Sequence, residues 1–467
     1  MKFKKFGKAL LISALSAGVV LSVTSCVQSY TVGFLYVTGT TTSESNGNGY
    51  VAGFKIDHNT GKLTPINGLN PPTASGGANP VRALLLPGGR FLYVMNQGSS
   101  TNPAGSTLCT TAYPCESSNI TQFAVGANGV LTFQETFSTQ GENPIRMISD
   151  NSGNYIFVLD HDSPDNFLPA GTAATSNGCA QALNGATTCG DITAFSVNAS
   201  TGRLSLIQNA QVKVTTTNGT QNLTYFPVPV DPIDFVLTGG SILTLTGTPS
   251  TGDTVYPYGY TSGNGQLTVT VNSSDSIGSV YQATAIVAAG NYTWILDNDP
   301  ITYTPVGSST PTTSPSQIIP WSVGANGSLT AQLSGPIPDD PNQSSPIYLV
   351  VENKGKWFYV ANQGDVNNKT VALSGIAGYV MNSPFLPSEM GGTPIGFGTG
   401  AGPVCMVEDP SDQFFYTANY DSQTVTGQAL DQVSGVLTPL LQSSKAPSSY
   451  ALTGPPSWCL VDGRISN

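Results

Sequence analysis

The chain has 467 residues, of which 39% are hydrophobic and only 9% are charged, against about 25% charged residues in ordinary globular domains. Aromatic residues, at 9% of the sequence, supply the apolar area that a disordered chain lacks. A background rich in Gly, Ser, Thr and Asn, with few Lys and Glu, excludes a coiled coil, a polytopic membrane protein and a basic nucleic-acid binder. It favours a large, turn-rich all-β protein.

The amino terminus has the pattern of a targeting segment. Four lysines within the first eight residues precede an uncharged apolar run over 9–23, which is too short to span a bilayer comfortably. The run ends Val23-Thr24-Ser25-Cys26, which resembles the lipobox of bacterial lipoproteins and implies cleavage before Cys26 and lipidation of that residue. An ordinary secretory signal that ends near a cysteine is the alternative.

This segment predicts the organisation and the location of the mature protein. We expect a signal peptide over 1–25, a lipid-anchored tether over 26–32 and one folded domain over 33–467, in the bacterial cell envelope, at the outer membrane or facing the periplasm. Loss of four lysines leaves 12 basic against 27 acidic residues, a net charge of about −15, and such a surface repels nucleic acid and anionic headgroups. The expected partners are therefore a small-molecule ligand or an envelope protein. The expected protein is a monomer without a cofactor, in contact with the membrane only through its lipid.

A repeated unit then runs along the chain. It consists of a proline, an alternating apolar run, a turn and an aromatic strand. Five copies open at Pro80, Pro144, Pro232, Pro346 and Pro403, each 11 residues before the first large residue of the second strand, and a sixth copy without proline opens at Tyr281. Most copies continue into a second hairpin, such as ITQFAVGANGVLTF at 120–133. Four antiparallel strands per unit are typical of a propeller blade.

The two ends of the chain complete the count. Residues 33–66 supply the second to fourth strands of a blade, and residues 455–463 supply only a first strand. Six whole copies plus one shared blade predict a seven-bladed β-propeller closed by its termini, which removes the exposed sheet edges. Two unrelated β-sandwiches are the alternative, but the constant offset argues against them. Polar inserts near 99–117, 163–190, 210–225 and 302–316 are expected to be surface loops on one rim.

The cysteines fit an oxidising compartment, since seven cysteines minus Cys26 leave an even number. Two close pairs lie within inserts and are candidate disulfides: Cys109 with Cys115, and Cys179 with Cys189. Cys405 and Cys459 fall on the innermost strands of adjacent blades with opposite parity, so we expect a disulfide across the closing seam. Two unpaired buried thiols are the alternative. Without a C-x-x-C motif, and with only two histidines, no metal site is expected.

One acidic segment, over 160–166, is a weaker metal candidate. Its carboxylates are oxygen ligands of the kind that calcium prefers. It lacks the spacing and the glycine of the helix–loop–helix calcium site, so a solvated acidic turn is the preferred interpretation.

The strings GRFLYVMNQG and GKWFYVANQG, with the turn strings TG-x-L at 60–63 and 201–204, resemble the bacterial lactonase-type seven-bladed propellers. That family includes 6-phosphogluconolactonase-like and muconate-cyclase-like proteins, and the resemblance covers about residues 33–462. It implies lactone hydrolysis, with histidine at the second position after each blade-opening proline, lining the axial channel. Here that position holds no histidine; its residues are Arg82, Arg146, Asp234, Ala283, Tyr348, Cys405 and Trp458. The two histidines, His58 near a hairpin turn and His161 in a loop, do not replace them by register.

Five residues of this inner ring form a candidate ligand site. Arg82 and Arg146, in adjacent blades, suit bidentate contacts with a carboxylate or phosphate. Tyr348 and Trp458 offer stacking surface for a sugar or aromatic ring, and Asp234 can accept hydroxyl protons. We therefore expect a propeller that binds a small anionic or sugar-like ligand, or a protein partner, at its channel mouth.

Two alternatives to this site stay open. The arginines can instead pair with Asp234, Glu142 or Glu408 inside the channel and only stabilise the ring. A lactone hydrolase would need one of the same three acids as its general base, with a raised pKa.

Overall fold

The structure, a computed structural model of the chain, describes residues 30–41, 48–98, 118–248, 252–269, 274–277, 282–305, 307–332, 335–364, 374–381, 388–390, 400–443 and 446–463. The predicted signal peptide, Cys26, Cys109 and Cys115 lie outside these residues. The chain forms seven antiparallel sheets of four or five strands around one axis, which confirms the predicted seven-bladed β-propeller. Across the described ranges, no helix has the length and apolar composition needed to cross a bilayer.

We number the blades 1 to 6 in chain order and the closing blade 7, and we letter the strands a to d from the axis outward. Blade 1 is Pro80–Leu85, Phe91–Asn96, Asn119–Val125 and Leu131–Phe137. Blade 2 is Glu142–Ser149, Tyr155–Asp162, Gly190–Val197 and Leu204–Leu206. Blade 3 is Pro232–Thr238, Ser241–Thr248, Gly252–Thr261 and Gln266–Val269.

The remaining blades follow the same plan. Blade 4 is Ala283–Ala289, Tyr292–Asp297, Gln317–Val323 and Leu329–Ala331. Blade 5 is Pro346–Val351, Trp357–Asn362, Gly375–Val380 and Ser388–Glu389. Blade 6 is Pro403–Glu408, Phe414–Asn419, Thr424–Leu430 and Leu437–Pro439. Blade 7 is Pro456–Asp462, Thr31–Thr40, Asn48–Asp57 and Leu63–Pro65.

Blade 7 closes the ring in the way that the sequence predicts. Its strand a, from the carboxyl end of the chain, pairs antiparallel with strand b from the amino end, with Thr38 opposite Trp458 and Tyr36 opposite Leu460. The closing contact is therefore a hydrogen-bonded sheet, and no blade edge of this seam is left unpaired.

The two faces of the ring carry different connections. Strands a begin on what we call the loop face, which also carries the b-to-c and d-to-a connections; the a-to-b and c-to-d turns lie on the opposite hairpin face. Several d-to-a connections add a short strand to strand c: Thr73–Ala78, Phe226–Val228, Asp275–Ser276, Ile337–Pro338 and Ser449–Ala451.

The three predicted inserts within the described residues lie on the loop face, and each has structure of its own. Residues 163–190 contain the short helix Gly178–Ala182 and the 3-10 turns Pro164–Phe167 and Ala174–Ser176. Residues 210–225 contain the hairpin Lys213–Thr216 and Gly219–Asn222, and residues 302–316 contain most of the hairpin Ile301–Tyr303 and Thr312–Ser314. The insert at 99–117 lies outside the described residues.

The recurring turn string has a structural cause at the junctions between neighbouring blades. In four junctions, the hydroxyl of a tyrosine on strand b donates to the carbonyl of a glycine in the c-to-d turn of the next blade. These pairs, with O···O distances of 2.5–2.7 Å, are Tyr36 with Gly129, Tyr93 with Gly202, Tyr359 with Gly435 and Tyr416 with Gly61. Each of these glycines has a positive φ, which other residues adopt at a cost.

Blades 2, 3 and 4 have no tyrosine at this position. At the position of the tyrosine, three residues before the strand b residue that pairs with the proline position, they carry Phe157, Leu243 and Trp294. These side chains are buried in the apolar clusters between blades. The junctions 2|3, 3|4 and 4|5 therefore have a large apolar or aromatic side chain where the other four junctions have the tyrosine.

The repeat is less regular than the constant 11-residue offset predicts. In blades 3 and 4 the a–b turn has two residues, between Thr238 and Ser241 and between Ala289 and Tyr292. Gly239, Gly240 and Gly290, with φ of 54°, 83° and 59°, permit these tight turns. Blade 4 thus pairs Ala283 with Asp297 as blade 1 pairs Pro80 with Asn96.

The strand b residue that pairs with the proline position is polar and buried in most blades, and blades 1 and 2 differ there. In blade 1, Asn96 donates from Nδ2 to Asn119 Oδ1, 2.8 Å away on strand c. In blade 2 the same register places Asp160 opposite Asp191, and both carboxyl groups are fully buried. Thr193 Oγ1 contacts both, at 3.2 and 3.3 Å. A pair of amides in one blade is thus a pair of carboxyl groups in the next.

Candidate functional site

The candidate ring is built by a bulge at the start of every strand a. In each blade the a–b register shifts between the proline position and the residue two positions later, and a bulge of this kind re-aims the side chain that follows. Arg82, Arg146, Asp234, Tyr348 and Trp458 hold this position in five blades. In blade 4 the residue is Ala285 and not Ala283 as predicted, because the shorter turn moves the register by two residues.

Arg146 and Asp234 form a buried ion pair. The Arg146 Nη2 donates to Asp234 Oδ2 at 2.8 Å, and its Nε lies 2.5 Å from Oδ1; the side chains are 11% and 4% exposed. Asp234 also accepts from the backbone N–H groups of Phe235 at 2.8 Å and Ile286 at 3.1 Å. This carboxylate therefore links blades 2, 3 and 4 at the axis and has no oxygen left for a ligand or a general-base role.

Arg82 has a different environment. Its Nη1 donates to the Val81 carbonyl at 2.9 Å, its Nε is buried without an acceptor, and within the described part of the chain it forms no ion pair. The pKa of the Arg82 guanidinium is lowered to about 9, chiefly by burial and also by the charge of Arg146, while Asp234 and Tyr348 partly oppose this. The group is still cationic at neutral pH. One of the two predicted arginines is thus neutralised and the other is not.

The guanidinium groups of Arg82 and Arg146 and the ring of Tyr348 all pack against the indole ring of Trp458. The Cζ atoms of Arg82 and Arg146 lie 4.2 and 5.3 Å from its ring centroid, within the range of cation–π attraction. Tyr348 packs edge-on, with ring centroids 5.0 Å apart. The structure therefore brings all five predicted ligand residues together, from blades 1, 2, 3, 5 and 7.

In blade 6 the ring position is held by Cys405, at the closing seam between blades 6 and 7. Cys405 and Cys459 form a disulfide between the inner strands of blades 6 and 7, with Cα atoms 5.9 Å apart. Both residues are buried. The bond fixes the strand that carries Trp458.

The second disulfide, Cys179–Cys189, lies in the blade 2 insert. Asp165 approaches its sulfur atoms, but cysteines in a disulfide offer no thiolate to a metal. Asp165 instead accepts from the Cys179 N–H at 3.0 Å and orders the insert. The predicted acidic turn at 160–166 is partly wrong, because Asp160 and Asp165 are buried.

A cavity of about 390 Å³ lies against the ring, toward the hairpin face. Its walls include Tyr348 and Trp458, aliphatic side chains of four inner strands, and Glu408. The pKa of Glu408 is raised to about 7, chiefly by burial and also by Asp412, Glu352 and Asp409, while the hydrogen bond from the Asn353 N–H partly opposes this. Of the three acids considered as partners of the arginines, Glu408 is therefore the one that faces an open volume.

The other candidates lie elsewhere. Glu142 is opposite Asp162 at the loop-face end of blade 2, outside the ring. His161 is in strand b and not in a loop as predicted; its Nδ1 lies 3.2 Å from Asp162 Oδ2 and its Nε2 3.6 Å from Asp231 Oδ1. The hydrogen bond to Asp162 raises the pKa of His161, against the effect of burial. The ring of His58 stacks on the ring of Tyr30, the first of the described residues.

Sequence reasoning missed the distinct environments of the two arginines and the role of Ile286 as a backbone partner. The proline register places each residue on the ring but does not say which acid faces which base. The short Gly290-Asn291 turn of blade 4 was the available signal for the register error in that blade.

Comparison with known proteins supports the fold. Residues 48–166 match the family described as lactonase, 7-bladed beta-propeller, which confirms the resemblance to lactonase-type propellers. A Bacteroides fragilis protein assigned as a 6-phosphogluconolactonase aligns with 15% identity and a TM-score of 0.58, over 92% of this chain and 98% of its own. The periplasmic gluconolactonase of Pseudomonas aeruginosa aligns with 16% identity and a TM-score of 0.59, over 92% and 98%. No curated protein matches the chain.

Proposed function

We propose that this lactonase-type propeller binds a small organic anion, such as a carboxylate or a phosphate ester, through Arg82 at its axial channel. Arg82 carries the proposal, because it is a half-buried cation with no carboxylate partner among the described residues. Unpaired charge inside a protein is unfavourable, and a bound anion would neutralise it with charge-assisted hydrogen bonds. Trp458 and Tyr348 would supply stacking surface for a sugar or aromatic ring on the same ligand.

Arg146 has a structural part in this proposal. Its charge is balanced by Asp234, and a ligand would have to displace a bidentate, buried pair to use it. The prediction that both arginines bind one anion is therefore replaced by a proposal that Arg82 alone binds it.

A panel of small molecules tests the proposal. Purified mature protein would be screened by thermal shift with sugar acids, aliphatic carboxylates and phosphate esters, each beside its neutral alcohol or amide. We expect the melting temperature to rise with a subset of the anions and not with their neutral counterparts, since ligands of the native state stabilise it. Equal shifts from charged and neutral partners would contradict an Arg82-centred site.

We further propose that the protein acts at the cell envelope as a lipid-anchored, extracytoplasmic lipoprotein. The lipobox-like string ending at Cys26 supports this, and so do the disulfides Cys179–Cys189 and Cys405–Cys459, since disulfides persist in oxidising compartments. Metabolic labelling with a radioactive fatty acid should mark the wild-type protein and not Cys26→Ala. A labelled Cys26→Ala protein would contradict the proposed anchor.

Lactone hydrolysis is the second candidate. The family match over 48–166 favours it, but Asp234 is occupied by Arg146, so Glu408 would have to be the general base. Its pKa, raised to about 7, suits proton transfer near neutral pH. Turnover of sugar lactones by the wild type, lost in Glu408→Gln and kept in Glu135→Gln, would favour the enzyme. Absence of turnover across such a panel would leave ligand binding as the function.

A further inference from the structure

The cavity toward the hairpin face has the size and the chemistry of a ligand site in its own right. Its volume of about 390 Å³ lies within the range of small-molecule pockets, which are mostly apolar with few polar groups. Aliphatic side chains such as Leu85, Val350 and Leu460 line it, and Glu408 is its carboxylate. Glu408 is therefore the one charged side chain in a wall of mixed polar and apolar surface.

Glu408 has one oxygen to offer. Its Oε2 accepts from the backbone N–H of Asn353 at 2.8 Å. Its Oε1 is buried and has no hydrogen-bond partner among the described residues. A buried acceptor without a donor is unfavourable, so this atom suits a ligand that brings a donor.

The charges around Glu408 determine which kind of ligand group can donate a hydrogen bond to its Oε1. Asp412, Glu352 and Asp409 all raise the pKa of Glu408, which means that the potential at its carboxylate is negative. The Nζ of Lys354 lies 3.4 Å from Asp412 and offsets one of these acids. The remaining negative potential favours a cation over a neutral alcohol and disfavours an anionic lactone at the same place.

The opposite end of the cavity is aromatic. Trp458 and Tyr348 contribute to its wall, and the guanidinium group of Arg82 packs over the ring of Trp458. Glu408 follows the ring position of its strand, Cys405, by three residues, or about 10 Å of strand rise. The cationic group of the ring and the carboxylate are therefore at separate ends.

We propose that this cavity is a second ligand site, which shares Trp458 and Tyr348 with the anion site but has Glu408 and not Arg82 as its charged group, and that it takes an organic ammonium ion. The ammonium group donates to Glu408 Oε1, and an apolar or aromatic body of the ligand packs between the aliphatic wall and Trp458. The proposal does not depend on Arg82 binding an anion.

Calorimetric titration of the mature protein with three matched probes tests it: phenethylamine, 2-phenylethanol and 3-phenylpropionate at pH 8, where Glu408 is mostly ionised. We expect the amine to bind at least about tenfold more tightly than the alcohol, as one charge-assisted hydrogen bond implies, and the carboxylate to bind more weakly than both. Equal affinity for amine and alcohol, or tighter binding of the carboxylate, would overturn the proposal.

Two variants locate the interaction. Glu408→Gln keeps the size of the side chain and should lose about tenfold in amine affinity while its affinity for the alcohol stays the same. Glu135→Gln, which removes an acid paired with Arg203 on an outer strand, should bind the amine as the wild type does. An unchanged melting temperature of Glu408→Gln shows that it is folded, and unchanged amine affinity in that folded variant would refute the site.

Discussion

The two arcs of the ring are joined in different ways. At the junctions 5|6, 6|7, 7|1 and 1|2, a tyrosine of one blade donates to a glycine carbonyl of the next. At 2|3 and 3|4, where this hydroxyl is missing, Asp234 forms a polar link on each side, to Arg146 and to the Ile286 N–H. Nearer the hairpin face, the Tyr260 hydroxyl donates to Asp150 across 2|3 and the Thr238 hydroxyl donates to the Gly290 carbonyl across 3|4. At 4|5, Thr284 donates from its hydroxyl to the Pro346 carbonyl.

This difference separates two arginines that look equivalent in the sequence. Arg146 belongs to the arc without the tyrosine–glycine hydrogen bonds, and its charge holds neighbouring blades together through Asp234. Arg82 belongs to the arc that tyrosines already join, and its charge has no structural partner of opposite sign among the described residues. The ring therefore has one structural arginine and one that is available for a ligand.

The largest expected effect comes from breaking the ion pair. Asp234→Asn leaves the Arg146 charge buried and uncompensated, which should lower the free energy of unfolding by about 3–5 kcal/mol. Urea denaturation followed by tryptophan fluorescence would measure it. Replacing both partners, as Arg146→Met with Asp234→Leu, should cost much less than the single change; an equal or larger cost would show that the pair is not what holds this arc.

The disulfide of the other arc should have the next largest effect. Cys405→Ala with Cys459→Ala removes a cross-link between residues 54 apart, and losing such a link costs about 2–4 kcal/mol. Thermal unfolding of the double variant, compared with Cys179→Ala and Cys189→Ala in the insert, would measure the contribution of the seam. A seam variant as stable as the wild type would mean that the tyrosine hydrogen bonds and the paired strands close the ring without it.

The carboxyl pair of blade 2 predicts a pH dependence that blade 1 lacks. Burial raises the pKa of Asp160 and of Asp191 well above their usual range, and each also feels nearby acids. The folded protein therefore keeps protons that the unfolded chain releases above about pH 4, so stability should fall as pH rises, by up to about 1.4 kcal/mol per pH unit for each proton.

Denaturation at several pH values between 5 and 8 would measure this slope. Asp191→Asn, which restores an amide as at Asn119, should reduce it, while Glu135→Gln at the exposed surface should not. An identical slope in Asp191→Asn would contradict a buried pair that holds protons.

The smallest effect is expected for a single tyrosine hydrogen bond. Tyr93→Phe leaves the Gly202 carbonyl without its buried donor, at a cost of about 1–2 kcal/mol. The same measurement on Tyr155→Phe, a ring that packs in the 2|3 junction without this bond, serves as the control. If the two variants cost the same, the distinction between the arcs does not hold.

The sequence predicts the fold more completely than it predicts the candidate site. The proline register, the missing first strand before Gly33 and the isolated last strand near Pro456 are sufficient to predict seven blades and their closure. Parity along strand a also predicts that Cys405 and Cys459 face each other. These are local, repeated patterns, and each blade repeats the evidence.

The pairing inside the ring could not be predicted in the same way. Whether Arg82 or Arg146 meets Asp234 depends on which neighbouring blade each side chain leans toward. The backbone N–H of Ile286 completes the Asp234 site, and it is positioned by a two-residue turn that the uniform register does not anticipate. The cavity beside Glu408 likewise arises from side chains of several inner strands that no sequence spacing brings together.

The claim that Arg82 and not Arg146 is the ligand arginine has a direct test. Calorimetric titration of the best anion from the screen would compare the wild type with Arg82→Gln and with Arg90→Gln, an exposed arginine on the hairpin face. We predict a loss of at least about tenfold in affinity for Arg82→Gln, as one charge-assisted contact implies, and no change for Arg90→Gln. Wild-type affinity in a folded Arg82→Gln protein would contradict the account.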